Sequence, residues 1–232
     1  MSAAPPRRHR RHTAVTATRR GPSTAMIAAV VVLVLFAGGI GFGLYRAQRA
    51  DAIVAPAGAT AAGVTVGQPS APATVDIYLD FQCPVCRAYE QQVGPALDRM
   101  VAAGQAKVVY HPAAFLDRYS STQYSTRSSQ ASACAADAGV FPQYARALFA
   151  NQPPENAAGL PDSQLISLGR QAGAGDDFAT CVQSGRYAGW TASVTDAASK
   201  AGVSATPTVL VNGTEISRTL PALVAAVSAT QG

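Results

Sequence analysis

LDFQCPVCRAYE, residues 79–90, joins the end of an apolar run, two cysteines separated by two residues, and the start of a helix-like stretch. Residues 75–81 are rich in β-branched and aromatic side chains and read as a buried strand. Residues 88–100 carry apolar side chains at helical spacing, so Cys83 and Cys86 straddle a helix start. Pro84 suits the first helical turn, because it has no N–H to leave unpaired and its φ is already near helical. Cys83 then lies at the helix N-terminus, where the macrodipole and free amides stabilise a thiolate, and Cys86 lies one turn inside. Disulfide exchange needs this asymmetry: an accessible acidic sulfur attacks or is attacked, and its shielded neighbour resolves the mixed disulfide. The plainer uses of the same pair are a structural bridge or half of a zinc site.

The chain has 232 residues, 48% of them hydrophobic, which is ample for one sizeable domain with appendages. Its net charge of +5 is unevenly placed. The first fifty residues hold eight arginines and no acid, leaving ten basic against thirteen acidic side chains in the remainder. A mildly acidic domain behind a basic leader is not a nucleic-acid-binding domain, whose basic charge would be spread over a surface.

Residues 1–24 are Arg-, Pro- and Thr-rich without apolar periodicity and are expected to form a disordered cytoplasmic leader. Residues 25–45 are uncharged and almost wholly apolar, long enough to cross a hydrocarbon layer of about 30 Å as a helix. Six arginines precede this stretch and two follow it, so the positive-inside bias keeps the N-terminus cytoplasmic and exports everything after Tyr45. A cleaved signal peptide, the rival reading, has a shorter apolar core of about 7–15 residues. Either way the domain is exported to where disulfides persist. Residues 46–63, rich in Ala, Gly and Pro, read as a linker.

Residues 64–66 form a short candidate first strand, and 107–110 (KVVY) follow the central helix as another. Two strands around one helix imply a right-handed parallel crossover. No convincing strand appears over 119–202; helices are expected at 127–138, 142–150, 162–172, 176–184 and 187–201, broken by Pro153-Pro154, Gly173 and Gly185. Strand character returns at 207–211, Asn212-Gly213 is a two-residue hairpin turn, 214–216 is its partner, and 220–229 closes as a helix.

That order, with CxxC after the first long strand and Thr206-Pro207 opening the hairpin, resembles the DsbA-like thiol–disulfide oxidoreductases, actinobacterial members included. The resemblance implies an α/β thioredoxin-like fold over 64–118 and 203–232 with an inserted α-helical subdomain over 119–202, preceded by one transmembrane helix. By resemblance Cys83 is the nucleophile and Cys86 the resolving thiol, while Pro84 and Val85 tune the potential; the most oxidising members carry Pro-His there. A cis Thr206–Pro207 bond packed against the cysteines would turn the Thr206 backbone outward for an extended substrate to pair with. The plainer reading of Pro207 is a trans proline starting a strand. Relatives often bury an acid six positions before the first cysteine, where this chain has Ile77. Asp76 and Asp80 alternate onto the opposite face, and Asp80 is expected as a solvated or capping carboxylate.

Cys134 and Cys181, 47 positions apart in two expected helices, are read as one structural disulfide, as in some actinobacterial members, worth at most about 4 kcal/mol by loop entropy. A zinc site built from all four cysteines lacks a second CxxC. His111 is expected as a polar strand end without a role, and Phe81, Tyr89 and Trp190 as core residues rather than the border of a peptide groove. The resulting expectation is a membrane-tethered enzyme with an extracytoplasmic catalytic domain that needs no metal or organic cofactor. It would donate its Cys83–Cys86 disulfide to exported proteins and be reoxidised by a DsbB- or VKOR-type membrane partner. The alternatives are a reductase or isomerase with the same dithiol, and a non-catalytic anchored peptide-binding module with two structural disulfides.

Overall fold

The computed structural model describes residues 33–35, 53–60 and 62–231. The chain divides into two units, residues 1–50 and 51–232. Of the first, Leu33–Leu35 are helical and exposed, and the rest of the expected leader and membrane span lies outside the described residues. Among the described residues no helix is long and apolar enough to cross a membrane.

The second unit is built on a five-stranded sheet of β1 (Val64–Val66), β2 (Ala73–Leu79), β3 (Ala106–Pro112), β4 (Thr208–Val211) and β5 (Thr214–Glu215), in the order β1-β3-β2-β4-β5. Strands β2 and β3 pair in parallel with Ile77 opposite Tyr110, and every other pairing is antiparallel. Between them runs α1 (Pro84–Ala102), the expected crossover. Strand β2 alternates strictly, burying Ala73, Val75, Ile77 and Leu79. It begins and ends two residues earlier than the sequence suggests. The chain turns at Asp80, whose carbonyl accepts the Cys83 N–H (3.0 Å) and whose carboxylate accepts the Gln82 N–H (2.8 Å).

Between β3 and β4 stand five helices: α2 (Tyr124–Asp137), α3 (Phe141–Ala150), α4 (Asp162–Gln171), α5 (Asp177–Ser184) and α6 (Ala188–Lys200). Each expected helix is present within one residue at either end, except that α2 starts three residues early, after Gln123 in a left-handed conformation that no capping residue announces. Helix α2 is buried along most of its length through small side chains, among them Ser125, Ser128, Ser129 and Ser132. Their hydroxyls are all bonded: Ser128 and Ser132 donate within the helix, and Ser129 donates to the Pro112 carbonyl at 2.6 Å. The Cys134–Cys181 disulfide (S–S 2.04 Å) ties α2 to α5. Asn212 and Gly213 both take positive φ, as a type I′ hairpin demands, and Asn212 Oδ1 accepts the Thr74 N–H at 2.7 Å. Helix α7 (Leu220–Ser228) closes the fold behind a Thr219 N-cap.

Two expectations change. The stretch read as linker to residue 63 is docked in its last part: the Trp190 indole N–H donates to the Thr60 carbonyl (2.8 Å), the Ala57 N–H donates to Asp137, and Ala59 bridges to Val64. Its Ala/Gly composition concealed this, because the bonds are made by backbone groups and their partners lie far away in sequence. His111 lies inside β3 instead of beyond it, buried and stacked on Tyr78 with ring centroids 4.1 Å apart. Its ring nitrogens meet the Ala62 carbonyl (2.6 Å) and Asp76 Oδ1 (3.0 Å), so it pins the start of the domain to the sheet. Phe81, Tyr89 and Trp190 are core residues, as expected.

Candidate active site

Strand β2 delivers the chain to the turn at Asp80, and α1 carries it away from Cys83. Cys83 is the N-cap with extended backbone (φ −77°, ψ 118°), and Pro84 occupies the first helical turn without costing a hydrogen bond. Both cysteines are free thiols. The expected accessible sulfur is in fact narrowly exposed: Cys83 keeps 6% of its surface and Cys86 2%, whereas Val85 between them is 52% exposed. A partner must therefore approach Cys83 across Val85 and the loop of Thr206 and Pro207.

That loop closes the site from far along the chain. The Thr206–Pro207 bond is cis, and the Cys83 Sγ lies 3.4 Å from the Thr206 carbonyl oxygen. Four expected site residues, Cys83, Cys86, Thr206 and Pro207, thus meet across a sequence separation of more than one hundred residues. Cys134 and Cys181 stand apart from them in the insertion, bonded to each other, so the four cysteines form neither a zinc cluster nor two structural bridges.

The two thiols differ sharply. Cys83 is brought down to about 6, first by its hydrogen bond with Cys86, then by Thr206 and the backbone N–H groups of Cys86 and Val85, against the opposing effect of burial. Cys86 is pushed well above the usual thiol range by burial and by its bond to Cys83. At neutral pH the reduced site therefore holds a Cys83 thiolate beside a Cys86 thiol. This is the division of labour of a nucleophile and a resolving group.

Sequence reasoning missed the polar residues that hold the loop. Asp80 is fully buried, not solvated. Its carboxylate accepts from the Gln82 N–H (2.8 Å), the Leu116 N–H (3.0 Å) and the Ser125 hydroxyl (2.7 Å), and α1 has no side-chain cap, so Asp80 is neither solvated nor a helix cap but the anchor of the turn. An Asp two residues before a free N–H, at a strand end, is the available signal. Gln152, in the connection between α3 and α4, donates from its amide to both the Phe81 carbonyl (2.8 Å) and the Cys83 carbonyl (2.9 Å). Nothing near Pro153-Pro154 marks it. Replacing Gln152 by alanine is expected to lower stability by about 1–3 kcal/mol, since two carbonyls of the cysteine loop lose a donor; urea unfolding checks this. Ile77 is buried in β2, and no acid takes its place beneath the cysteines on that strand face.

A reduced CxxC at a strand–helix junction, opposed by a cis-proline loop and split into one acidic and one shielded thiol, defines a thiol–disulfide oxidoreductase. The family model described as thioredoxin matches residues 59–229, and the chain belongs to that family. Among solved structures it is similar to the reduced disulfide oxidoreductase DsbG of Mycobacterium tuberculosis, with 37% identity and a TM-score of 0.64 over 72% of this chain and 83% of that one. It is equally similar to oxidised DsbA of the same organism, with 35% identity and a TM-score of 0.66 over 73% and 93% of the two chains. It is thus DsbA-like, with the mixed α/β thioredoxin-like fold and its helical insertion. Among curated proteins it is similar to the serine/threonine-protein kinase PknE of M. tuberculosis, 38% identical over 130 residues, which are 53% of this chain and 23% of that protein. The chain therefore spans less than a quarter of the curated relatives it matches.

Proposed function

We propose that this oxidoreductase works as a disulfide donor to exported proteins, tethered to the outer face of the cell membrane. The single observation behind the direction is the placement of Cys83 at the N-terminus of α1 with Cys86 buried one turn inside, which favours a Cys83 thiolate beside a Cys86 that keeps its proton. A stabilised thiolate lowers the free energy of the reduced enzyme, and a dithiol more stable when reduced is a stronger oxidant. A substrate thiolate attacks Cys83, the disulfide electron pair passes to Cys86, and a second substrate thiolate releases Cys83 as a thiolate. The backbone at Thr206, next to Cys83, would pair with an extended substrate as an added strand. The arginine-flanked apolar stretch of residues 25–45 and the Cys134–Cys181 bridge support the tether and the oxidising compartment. A DsbB- or VKOR-type membrane oxidase would restore the disulfide.

The deciding experiment is the equilibrium of Cys83–Cys86 with glutathione buffers, read by thiol alkylation. A potential well above that of thioredoxin, about −270 mV, is expected; a value at or below it would make the protein a reductase. In intact cells, the domain should react with a membrane-impermeant thiol reagent and sediment with membranes after an alkaline wash.

A further inference from the structure

We propose that Asp80 is a positioning residue that tunes the dithiol: its caged carboxylate opposes negative charge on Cys83 and binds a proton when that charge forms. The proposal rests on the dithiol alone and not on the direction of disulfide transfer.

The geometry is a carboxylate with no cation. Asp80 is completely buried, yet among the described residues no lysine, arginine or histidine pairs with it. Its partners are three neutral donors from three places: Gln82 in the cysteine loop, Leu116 before the 3-10 turn Asp117–Tyr119, and Ser125 on α2. Ser125 also lies 3.3 Å from Gln82 Oε1, so this cluster, together with Gln152, ties the insertion to the cysteine loop. The Asp80 main chain also joins the cysteine loop, its carbonyl accepting the Cys83 backbone N–H and its own backbone bonding to the Cys86 thiol. A buried carboxylate lacking a counter-charge is costly to ionise, and a second negative charge nearby raises that cost.

The groups facing Asp80 are few. Cys83 acts on it from its own loop, and Tyr124 from α2, whose phenol burial keeps neutral at any pH of interest. Burial pushes the Asp80 carboxyl up to about 6; the bonds from Gln82, Ser125 and Leu116 oppose this, and the charge of Cys83 adds to it. Asp80 and Cys83 therefore titrate over one pH range, and each resists the other's ionisation.

The consequence for exchange follows from the proton count. A substrate dithiol gives two electrons and two protons to the Cys83–Cys86 disulfide. Cys86 retains one proton, Cys83 leaves as a thiolate, and the second proton goes to solvent at neutral pH and in part to Asp80 near pH 6. Asp80 thus destabilises the thiolate and restrains the oxidising strength of the Cys83–Cys86 disulfide, in a chain with neither an acid at position 77 nor a donor at position 85.

The test is the pH titration of the thiolate absorbance of the reduced protein, with its redox equilibrium in a fixed glutathione buffer. Asp80→Asn removes the charge at constant shape. It is expected to move the Cys83 titration to lower pH and to raise the reduced-to-oxidised ratio about threefold to tenfold. Ser125→Ala keeps the carboxylate but removes a bond that favours its charged form, so a smaller shift of the same sign is expected. Near-ultraviolet circular dichroism establishes that each variant is folded, and if Asp80→Asn is not, Ser125→Ala decides alone. A folded variant whose Cys83 titration is unchanged or moves upward overturns the proposal. A thioredoxin-like potential in the unmodified protein would instead overturn disulfide donation and leave the Asp80 shift standing.

Discussion

Replacing Cys83 by serine is expected to abolish disulfide transfer, leaving a reduced test protein to oxidise at its uncatalysed rate. Serine matches the size of cysteine, so packing beside Thr206 and the fold should survive, but no disulfide can form at position 83 and a hydroxyl at neutral pH is no substitute for a thiolate. Cys86→Ser should fail differently. Cys83 remains acidic in part through the backbone N–H groups of Val85 and residue 86, so it still reacts with a substrate disulfide, but nothing resolves the adduct. Covalent enzyme–substrate complexes are expected to accumulate, visible on non-reducing gels and released by dithiothreitol. If Cys83→Ser oxidised the test protein at the normal rate, or if the trapped adduct formed through Cys134 or Cys181, the assignment of the site would be wrong.

The reduced protein is expected to become more stable as pH rises from about 6 to about 9. Cys83 falls from the ordinary thiol value to about 6 in the folded state, chiefly through its bond with Cys86. Between those two values the unfolded chain binds the proton and the folded chain does not, so stability rises with pH and is lost again as pH falls through 6. Three pH units correspond to at most about 4 kcal/mol. Asp80 has the opposite sign and a separate window: its raised value means that the folded chain holds a proton the unfolded chain has lost. Its contribution is full below about 4 and disappears as pH rises to about 6. Urea midpoints of the reduced protein should therefore dip near pH 6 and climb toward 9, whereas those of reduced Cys83→Ser should lack the climb. Equal slopes in the two proteins would refute the acidity of Cys83.

What could be read in advance divides by range. The start of α1 was legible because Pro84 and the change from strand to helix periodicity are local, and the Asn212-Gly213 hairpin because both residues meet its positive φ. The five helices of the insertion announce themselves by spacing and by Gly and Pro breaks. Where β2 ends was less legible, since Phe81 continues its apolar run while Asp80 turns the backbone. The docked start of the domain was hidden altogether: Trp190 and His111 bind carbonyls of residues 60 and 62, and a carbonyl has no sequence signature.

By itself the sequence determined the dithiol and its polarity, a residue at a helix N-terminus and another one turn inside, because those follow from backbone geometry within four residues. It also specified the element order and, with the family resemblance, the partner loop at Thr206-Pro207. Only the tertiary structure decided how acidic that dithiol is and what holds it. Acidity depends on desolvation and on groups brought within hydrogen-bond reach, Cys86 first and then Thr206 from across the chain, while Gln152 and the Asp80–Ser125 cluster, unmarked along the chain, hold the loop in place. Asp80 makes the point most directly. Alternation places its side chain opposite Ile77, but whether water or a helix covers that face is settled by where α2 packs.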